Sequence, residues 1–235
     1  MDKTKVQKSF DNNAQNYDEN SFIQQKVLEK LMNFFNNTPE NYGSKKIKLL
    51  ELGCGTAELS KILSKKIKFD NIHLVDISGR MLKIARYKIE HHNLTYQVVD
   101  FDEFKNFNKY DFIVSNMALH WAASFEKLFE KVTSFMKPGS MFIFSIPNSN
   151  SFNFFRDLNL DSLINNFPKK ELILKKIDNK FDFNSFEEVF YEEFNSPIDF
   201  LKKLKIIGAG VSNKKVRLKD LLLKKKLADK VGCDD

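Results

Sequence analysis

Apolar residues recur at helical spacing near the start of the chain and in short unbroken runs further on. Val6, Phe10, Ala14 and Tyr17 fall at i, i+4, i+8 and i+11, which predicts one face of a short helix or of two linked turns. Phe22, Ile23, Val27, Leu28, Leu31, Met32, Phe34 and Phe35 predict an amphipathic helix over residues 21–36, and Thr38-Pro39 through Lys46 a loop. From Ile47 the pattern alternates. Strands are expected at Ile47–Leu52, Asn71–Asp76, Leu94–Val99, Tyr110–Ser115 and Met141–Ser145. Helices are expected between them at Leu59–Lys66, Gly79–His91 and Phe125–Phe135, with Ser78 placed to cap the second. Lys137-Pro-Gly139 is a turn. Strands alternating with helices predict an α/β fold, a doubly wound and mostly parallel sheet covered on both faces.

The character changes after Pro147. Asn148–Leu163 is aromatic and polar with some helical pattern, and Phe186–Phe194 reads as strand or extended chain. Ser196-Pro197 opens a helix through Leu204, with proline at an allowed first position, and Gly208-Ala-Gly210 ends it. The basic tail from Lys214 carries Leu218, Leu221, Leu222 and Leu227, and reads as a helix or a disordered end. No internal repeat is visible.

A length of 235 residues at 42% hydrophobic suits one α/β domain with some decoration. The longest apolar stretches fall far short of a membrane span, and Met1–Lys8 has no apolar signal region, so no membrane partner is expected. Cys54 and Cys233 are the only cysteines, which makes a structural disulfide unlooked for and a reducing cytoplasm the expected compartment. Net charge is +7, yet arginine occurs only at 80, 86, 156 and 217. A solvated lysine surface explains most of that charge, with an acidic partner as the other reading. Base-reading sites favour arginine, so no nucleic-acid partner is expected.

The candidate chemistry starts at Glu51-Leu-Gly53-Cys54-Gly55-Thr-Ala57, between the first strand and its helix. Such a turn at the carboxyl end of a strand is where open α/β sheets bind nucleotide-like ligands. Pyrophosphate sites usually show G-x-G-x-x-G. Here an acid precedes the first glycine by two positions, which repels pyrophosphate and suits a cation. S-adenosylmethionine, with a sulfonium, an ammonium and no phosphate, fits. Three further strand ends share that edge of the sheet: Asp76, Asp100 and Ser115-Asn116. Asp76 is placed to accept from ribose hydroxyls. Asp100 is placed to accept from the adenine amino group, with Phe101 packing on the ring.

Glu51-Leu-Gly-Cys-Gly-Thr-Ala57, Asp76-Ile77-Ser78, Met81-Leu82 and Lys137-Pro-Gly139 resemble the class I S-adenosylmethionine-dependent methyltransferases. More narrowly, four segments resemble the malonyl-acyl-carrier-protein O-methyltransferases of biotin synthesis. They are Phe10-Asp-x-x-Ala14-x-x-Tyr17-Asp18 with Gln24; Tyr110 to Trp121; Phe144-Ser145 with Asn150-Ser151-Phe152; and Leu204-Lys205-Ile-Ile-Gly208-Ala209, the most discriminating. The resemblance implies an N-terminal helical lid (1–45), a cofactor-binding core (46–147), a substrate cap with closing sheet elements (148–212) and a basic tail (213–235). It implies cofactor contacts from Tyr17, Gln24, Glu51, Gly53, Cys54, Gly55, Asp76, Ile77, Met81, Asp100, Phe101 and Ser115.

The implied reaction is methylation of the free carboxyl of a malonyl thioester on acyl carrier protein, by a monomer. A malonyl carboxylate is ionised near neutral pH, so no general base is needed. A cationic or hydroxyl group must hold it; Tyr17, Arg156, His120 and Ser145 are the candidates, and a guanidinium suits carboxylates. A nucleophilic role for Cys54 is not expected. Lys169, Lys170, Lys202, Lys203 and Lys205 are candidates to receive an acidic carrier. The family usually closes with further strands after the Gly-Ala segment, which this chain lacks. Sheet strands six and seven are therefore expected from about 172–195, or else a short sheet in a chain that is not full length. Alternatives are a class I methyltransferase for another small carboxylic acid, an assembly factor without methyl transfer, and a nucleic-acid methyltransferase, against which Ser115-Asn-Met-Ala118 lacks the Asn/Asp-Pro-Pro-aromatic pattern.

Overall fold

A computed structural model describes residues 2–36, 46–157, 165–177 and 181–211. Within these the elements are helices α1 (Lys3–Asn13), α2 (Tyr17–Asn20), α3 (Phe22–Asn36), strand β1 (Ile47–Leu52), α4 (Glu58–Lys66), β2 (Phe69–Asp76), α5 (Gly79–Lys88), β3 (Leu94–Val98), β4 (Phe112–Asn116), α6 (Phe125–Phe135), β5 (Met141–Ser145), α7 (Asn153–Asp157), α8 (Lys170–Leu174) and α9 (Pro197–Ile206). The strands form one parallel sheet in the order β3-β2-β1-β4-β5. The chain winds outward from β1 through β2 to β3, then returns to the other side of β1 for β4 and β5. The carboxyl ends of β1 and β4 therefore flank the point where the winding reverses, where such sheets hold ligands.

The central strands lack polar alternation because both their faces are covered. Leu49 and Leu74 pack with α3, α4 and α5 through Leu28, Leu31, Leu59, Leu63 and Leu82. Leu50, Leu52 and Ile113 pack on the other face with Phe125, Leu128, Phe129 and Val132 of α6. Val6 of α1 joins this second cluster, which brings the N-terminal helix to the edge of the sheet that bears the strand ends. Ser78 and Ser124 cap α5 and α6 by accepting from Met81 N–H and Lys127 N–H.

One expectation changes. The described residues of 172–195 supply no sixth or seventh strand: Lys170–Leu174 is helical, and 181–194 has no regular secondary structure. That stretch is fastened by side chains, with Phe186 against Phe34 (ring centroids 4.8 Å apart), Glu188 on Lys30 (3.3 Å), Glu192 on Lys203 and Phe194 on Phe200 (5.1 Å). The sheet is accordingly short among the described residues. The expected loop at 38–46 (but for Lys46), the end of the helical reading at 148–163 and the basic tail lie outside the described residues.

The Leu204–Ala209 segment has a structural task. Gly208 has φ +79°, and a Cβ there would lie 2.8 Å from Cδ1 and 3.0 Å from Cα of Phe10. Phe10 in turn stands edge-on to Trp121, centroids 5.5 Å apart. Only glycine combines that backbone with that approach. Gly208→Ala is expected to destabilise the fold by about 1–3 kcal/mol and to loosen α1. A lowered thermal midpoint together with early proteolysis within residues 2–36 checks this.

Candidate active site

The glycine turn leaves β1 with Gly53 at φ +63° and Gly55 at φ +52°, and Ala57 at φ +65° precedes α4. Its geometry explains why it is no phosphate cradle. Gly55 N–H donates to Asp76 Oδ2 (2.8 Å), and Ser78 N–H donates to Asp76 Oδ1 (2.8 Å). The donor that would meet a phosphate meets the protein's own carboxylate instead. A carboxylate has about four acceptor sites, so two remain on Asp76 for ligand hydroxyls. Burial pushes Asp76 up to about 6, although the N–H bonds from Ser78 and Gly55 pull it down. Glu51 is buried in β1, where its Oε2 accepts from the Ser60 N–H (3.1 Å) and the Ser60 hydroxyl. Burial pushes it up to about 8.

The first 24 residues touch the segment after each of the first four strands. After β1, the Thr56 hydroxyl donates to Asp18 Oδ1 (2.6 Å), while Asp18 Oδ2 pairs with Lys88 (2.5 Å). After β2, Asp11 Oδ1 accepts from the Ser78 hydroxyl (2.7 Å) and Arg80 N–H (3.1 Å). After β3, Lys3 pairs with Asp100 (3.0 Å) and Asp102 (2.7 Å). At the end of β4, Asn116 Nδ2 donates to the Gln24 carbonyl (3.1 Å), and the Ser145 hydroxyl donates to Asn116 Oδ1 (2.7 Å). The Tyr17 ring lies 3.9 Å from where a Gly55 Cβ would stand. Burial, then Asp76, Asp18 and Glu51, push the Tyr17 phenol well above its ordinary value, so it stays protonated.

Between these elements lies a cleft lined by Tyr17, Gln24, Glu51, Gly53, Cys54 and Gly55, all of them singled out in the sequence, together with Asp18, Thr56, Glu58 and Asn116. Among the described residues three acids and no lysine or arginine line it, with Asp18 and Glu58 both paired to Lys88 and Glu51 raised to about 8. That donor set fits S-adenosylmethionine, whose sulfonium and ammonium are cations, and opposes a phosphate ligand. Asp76 stands directly behind Gly55. Phe101 reaches the turn as well: its ring is 3.5 Å from the Cβ position of Gly53. Ile77 is half-buried beside Asp76, and Met81 is buried at the start of α5.

Other expected residues lie differently. The Ser115 hydroxyl is fully buried and donates to the Leu52 carbonyl (2.8 Å), so it braces β4 on β1 and is unavailable to a ligand. Its neighbour Asn116 lines the cleft in its place. Arg156 does not line the cleft; its Nη1 donates to the Ser151 carbonyl (3.0 Å) and to Asn153 Oδ1 (2.7 Å). His120 sits between Trp121 and Phe167, centroids 5.2 and 5.7 Å away, and Phe167 stacks near Phe152 of the loop before α7. Its buried Nδ1 has no hydrogen-bond partner among the described residues, and burial lowers the imidazole to about 3, so the ring is neutral. Burial pushes the Cys54 thiol up, which keeps it protonated. Asn116 belongs to the Ser115-Asn116 strand end expected at this edge, whereas Asp11, Asp18 and Thr56 were not singled out as site residues, although Asp11 and Asp18 stand inside the Phe10–Asp18 segment.

The two raised carboxyls give the site a pH signature. Glu51 and Asp76 rise from ordinary values of 4.5 and 3.8, so the folded protein binds extra protons between about pH 4 and pH 8. Their contribution to the stability of the free protein is full below that window and is lost as pH rises through it. A cationic ligand favours the ionised forms, so its binding releases protons and tightens with pH. S-adenosylmethionine affinity is expected to rise about tenfold from pH 6 to pH 8. Calorimetry at pH 7 in two buffers of different ionisation enthalpy checks the proton release.

Comparison with known proteins agrees with this geometry. Residues 19–202 match a family described as a methyltransferase domain. Malonyl-[acyl-carrier protein] O-methyltransferase 2 of Ilyobacter polytropus is 33% identical over 94% of this chain and 86% of its own length. The corresponding enzyme of Acetivibrio thermocellus is 26% identical over 95% of this chain and 84% of its own length. Among solved structures, a chain of the complex between the Haloferax volcanii Trm112 methyltransferase activator and a methyltransferase superposes with a TM-score of 0.58. It is 16% identical and covers 85% of this chain and 93% of its own, a likeness of fold. The cation-suited cleft at the switch point and the match along nearly the whole chain lead to one statement: this chain belongs to the malonyl-[acyl-carrier protein] O-methyltransferase family of methyltransferase-domain proteins.

Proposed function

We propose that the protein transfers a methyl group from S-adenosylmethionine to the free carboxylate of a malonyl thioester on acyl carrier protein, giving the methyl ester at an early step of biotin synthesis. The name shared by relatives that match along nearly the whole chain carries this reading. The acidic, phosphate-averse cleft supports its cofactor half. When bound, the cofactor supplies a sulfonium methyl to which a carboxylate oxygen bonds as the carbon–sulfur bond breaks, leaving a thioether.

The carboxylate is already ionised near neutral pH, with a reference pKa of about 4, so the chain has no proton to remove. Its task is alignment. Tyr17 donates a hydrogen bond in the cleft as a protonated phenol. His120, neutral and with a free Nδ1, donates to an acyl oxygen without adding charge that would blunt the nucleophile. Arg156 is the cationic alternative for the carboxylate. On the cofactor side, Glu51 balances positive charge, Gly53, Cys54 and Gly55 allow close approach, and Asp76 accepts from ribose with Ile77 and Met81 beside it. Asp100 and Phe101 take the adenine, and Gln24 closes the cleft. Residues 1–45 act as the lid and 148–212 as the substrate cap. The protein works as a cytoplasmic monomer.

Incubation with S-adenosylmethionine and malonyl acyl carrier protein, read by intact mass, tests the reading. The expected product carries one added methyl that alkaline hydrolysis removes. An unchanged carrier, with cofactor binding intact, sinks it.

A further inference from the structure

Lys3 opens α1, just after the Asp2 N-cap, a position where the helix dipole disfavours a cation. Its ammonium is held from outside the helix. It lies 3.0 Å from Asp100 Oδ1, 2.7 Å from Asp102 Oδ2 and 4.9 Å from the centre of the Phe101 ring. The three charged side chains are only 18–23% exposed, so solvent screens them less than a surface pair. The loop is braced on its far side too. Asp102 N–H donates to Asp100 Oδ1 (3.0 Å), Asp102 Oδ2 accepts from Ala123 N–H (2.8 Å), and Lys131 donates to the Asp102 carbonyl (2.6 Å). Two donors thus fix Asp100 Oδ1, while Oδ2 takes part in none of these contacts.

We propose that Lys3 is a positioning residue of the adenine subsite, holding Asp100 so that its second oxygen accepts from the exocyclic amino group of the purine. This rests on the reading of Asp100 as the adenine acceptor. Two carboxylates two residues apart repel, and without the shared ammonium Asp100 turns aside. A fixed carboxylate can only accept, so the subsite selects a 6-amino purine and rejects a 6-oxo one, whose oxygen faces it as a second acceptor. Helix α1 thereby becomes part of base selection, a task its sequence does not announce.

Calorimetry with S-adenosylhomocysteine and S-inosylhomocysteine, which differ in the 6-substituent and in the proton that the 6-oxo base carries on N1, tests the proposal. The wild type is expected to prefer the adenosyl ligand by about tenfold or more. Lys3→Met and Lys3→Gln each weaken the adenosyl ligand about tenfold and the inosyl ligand by less than about twofold, and Lys3→Arg restores the wild-type preference. Equal weakening of both ligands means that Lys3 merely holds the helix in place, and overturns the proposal. So does unchanged binding in both neutral variants. A wild type that binds both ligands alike removes Asp100 from the adenine and takes the proposal with it.

Discussion

Gly53→Ala is expected to lower stability by about 3 kcal/mol and to reduce S-adenosylmethionine affinity by about a hundredfold or more. Two costs combine. An alanine at φ +63° sits in the left-handed region, which costs about 1–2 kcal/mol. Its Cβ would also lie 2.5 Å from the Ala118 Cβ, a contact that a rigid neighbour cannot relieve by changing rotamer. Ala118 is buried beside Leu119 and Trp121, so relief means moving the segment after β4, which shapes the cleft. Denaturant unfolding and calorimetry give the two numbers. The double variant Gly53→Ala with Ala118→Gly removes the clash and leaves the strain, so it should recover part of the stability. A single variant that unfolds at the wild-type denaturant concentration refutes the close approach.

Asp76→Ala ranks second. It strips the acceptor from the half-buried N–H of Gly55 and the buried N–H of Ser78, each lost partner costing about 1–3 kcal/mol. It also removes the acceptor proposed for ribose. A stability loss of about 2–4 kcal/mol and a cofactor affinity lowered about a hundredfold are expected. Asp76→Asn separates the two roles: its single carbonyl oxygen can serve one backbone N–H well and leaves little for a sugar hydroxyl. Full affinity in the alanine variant excludes the ribose role.

The core was legible because β1 and β4 are buried on both faces, and burial writes itself as unbroken apolar runs. Ends were less so. β2 begins at Phe69 because Phe69 already pairs with Ile47, and α5 stops at Lys88 because Ile89 is extended. Glycines and acids at strand ends were readable from topology alone, which gave the floor of the cleft. Of the N-terminal contacts, Tyr17 and Gln24 were readable through the family resemblance, and the others were not. Lys3, Asp11 and Asp18 look like ordinary surface polar residues, and their partners lie dozens of positions further on, at Asp100, Ser78 and Thr56. Ser115 was misread although strand alternation places it on the same side as buried Ile113, where a hydroxyl seeks a backbone carbonyl. The aromatic stretch 181–194 has a strand-like composition, but composition does not supply a neighbouring backbone.

The contact between Phe10 and Gly208 also bears on how the molecule is made. It joins the two ends of the described chain. α1 is made before α9, so the part of its seat that Gly208 supplies is completed only after α9 has emerged and turned. Loop-closure entropy makes such a contact among the last to form and the first to open. The contact between α1 and the turn after α9 is thus a late one, although most of what α1 packs on comes from the strand ends made long before that turn.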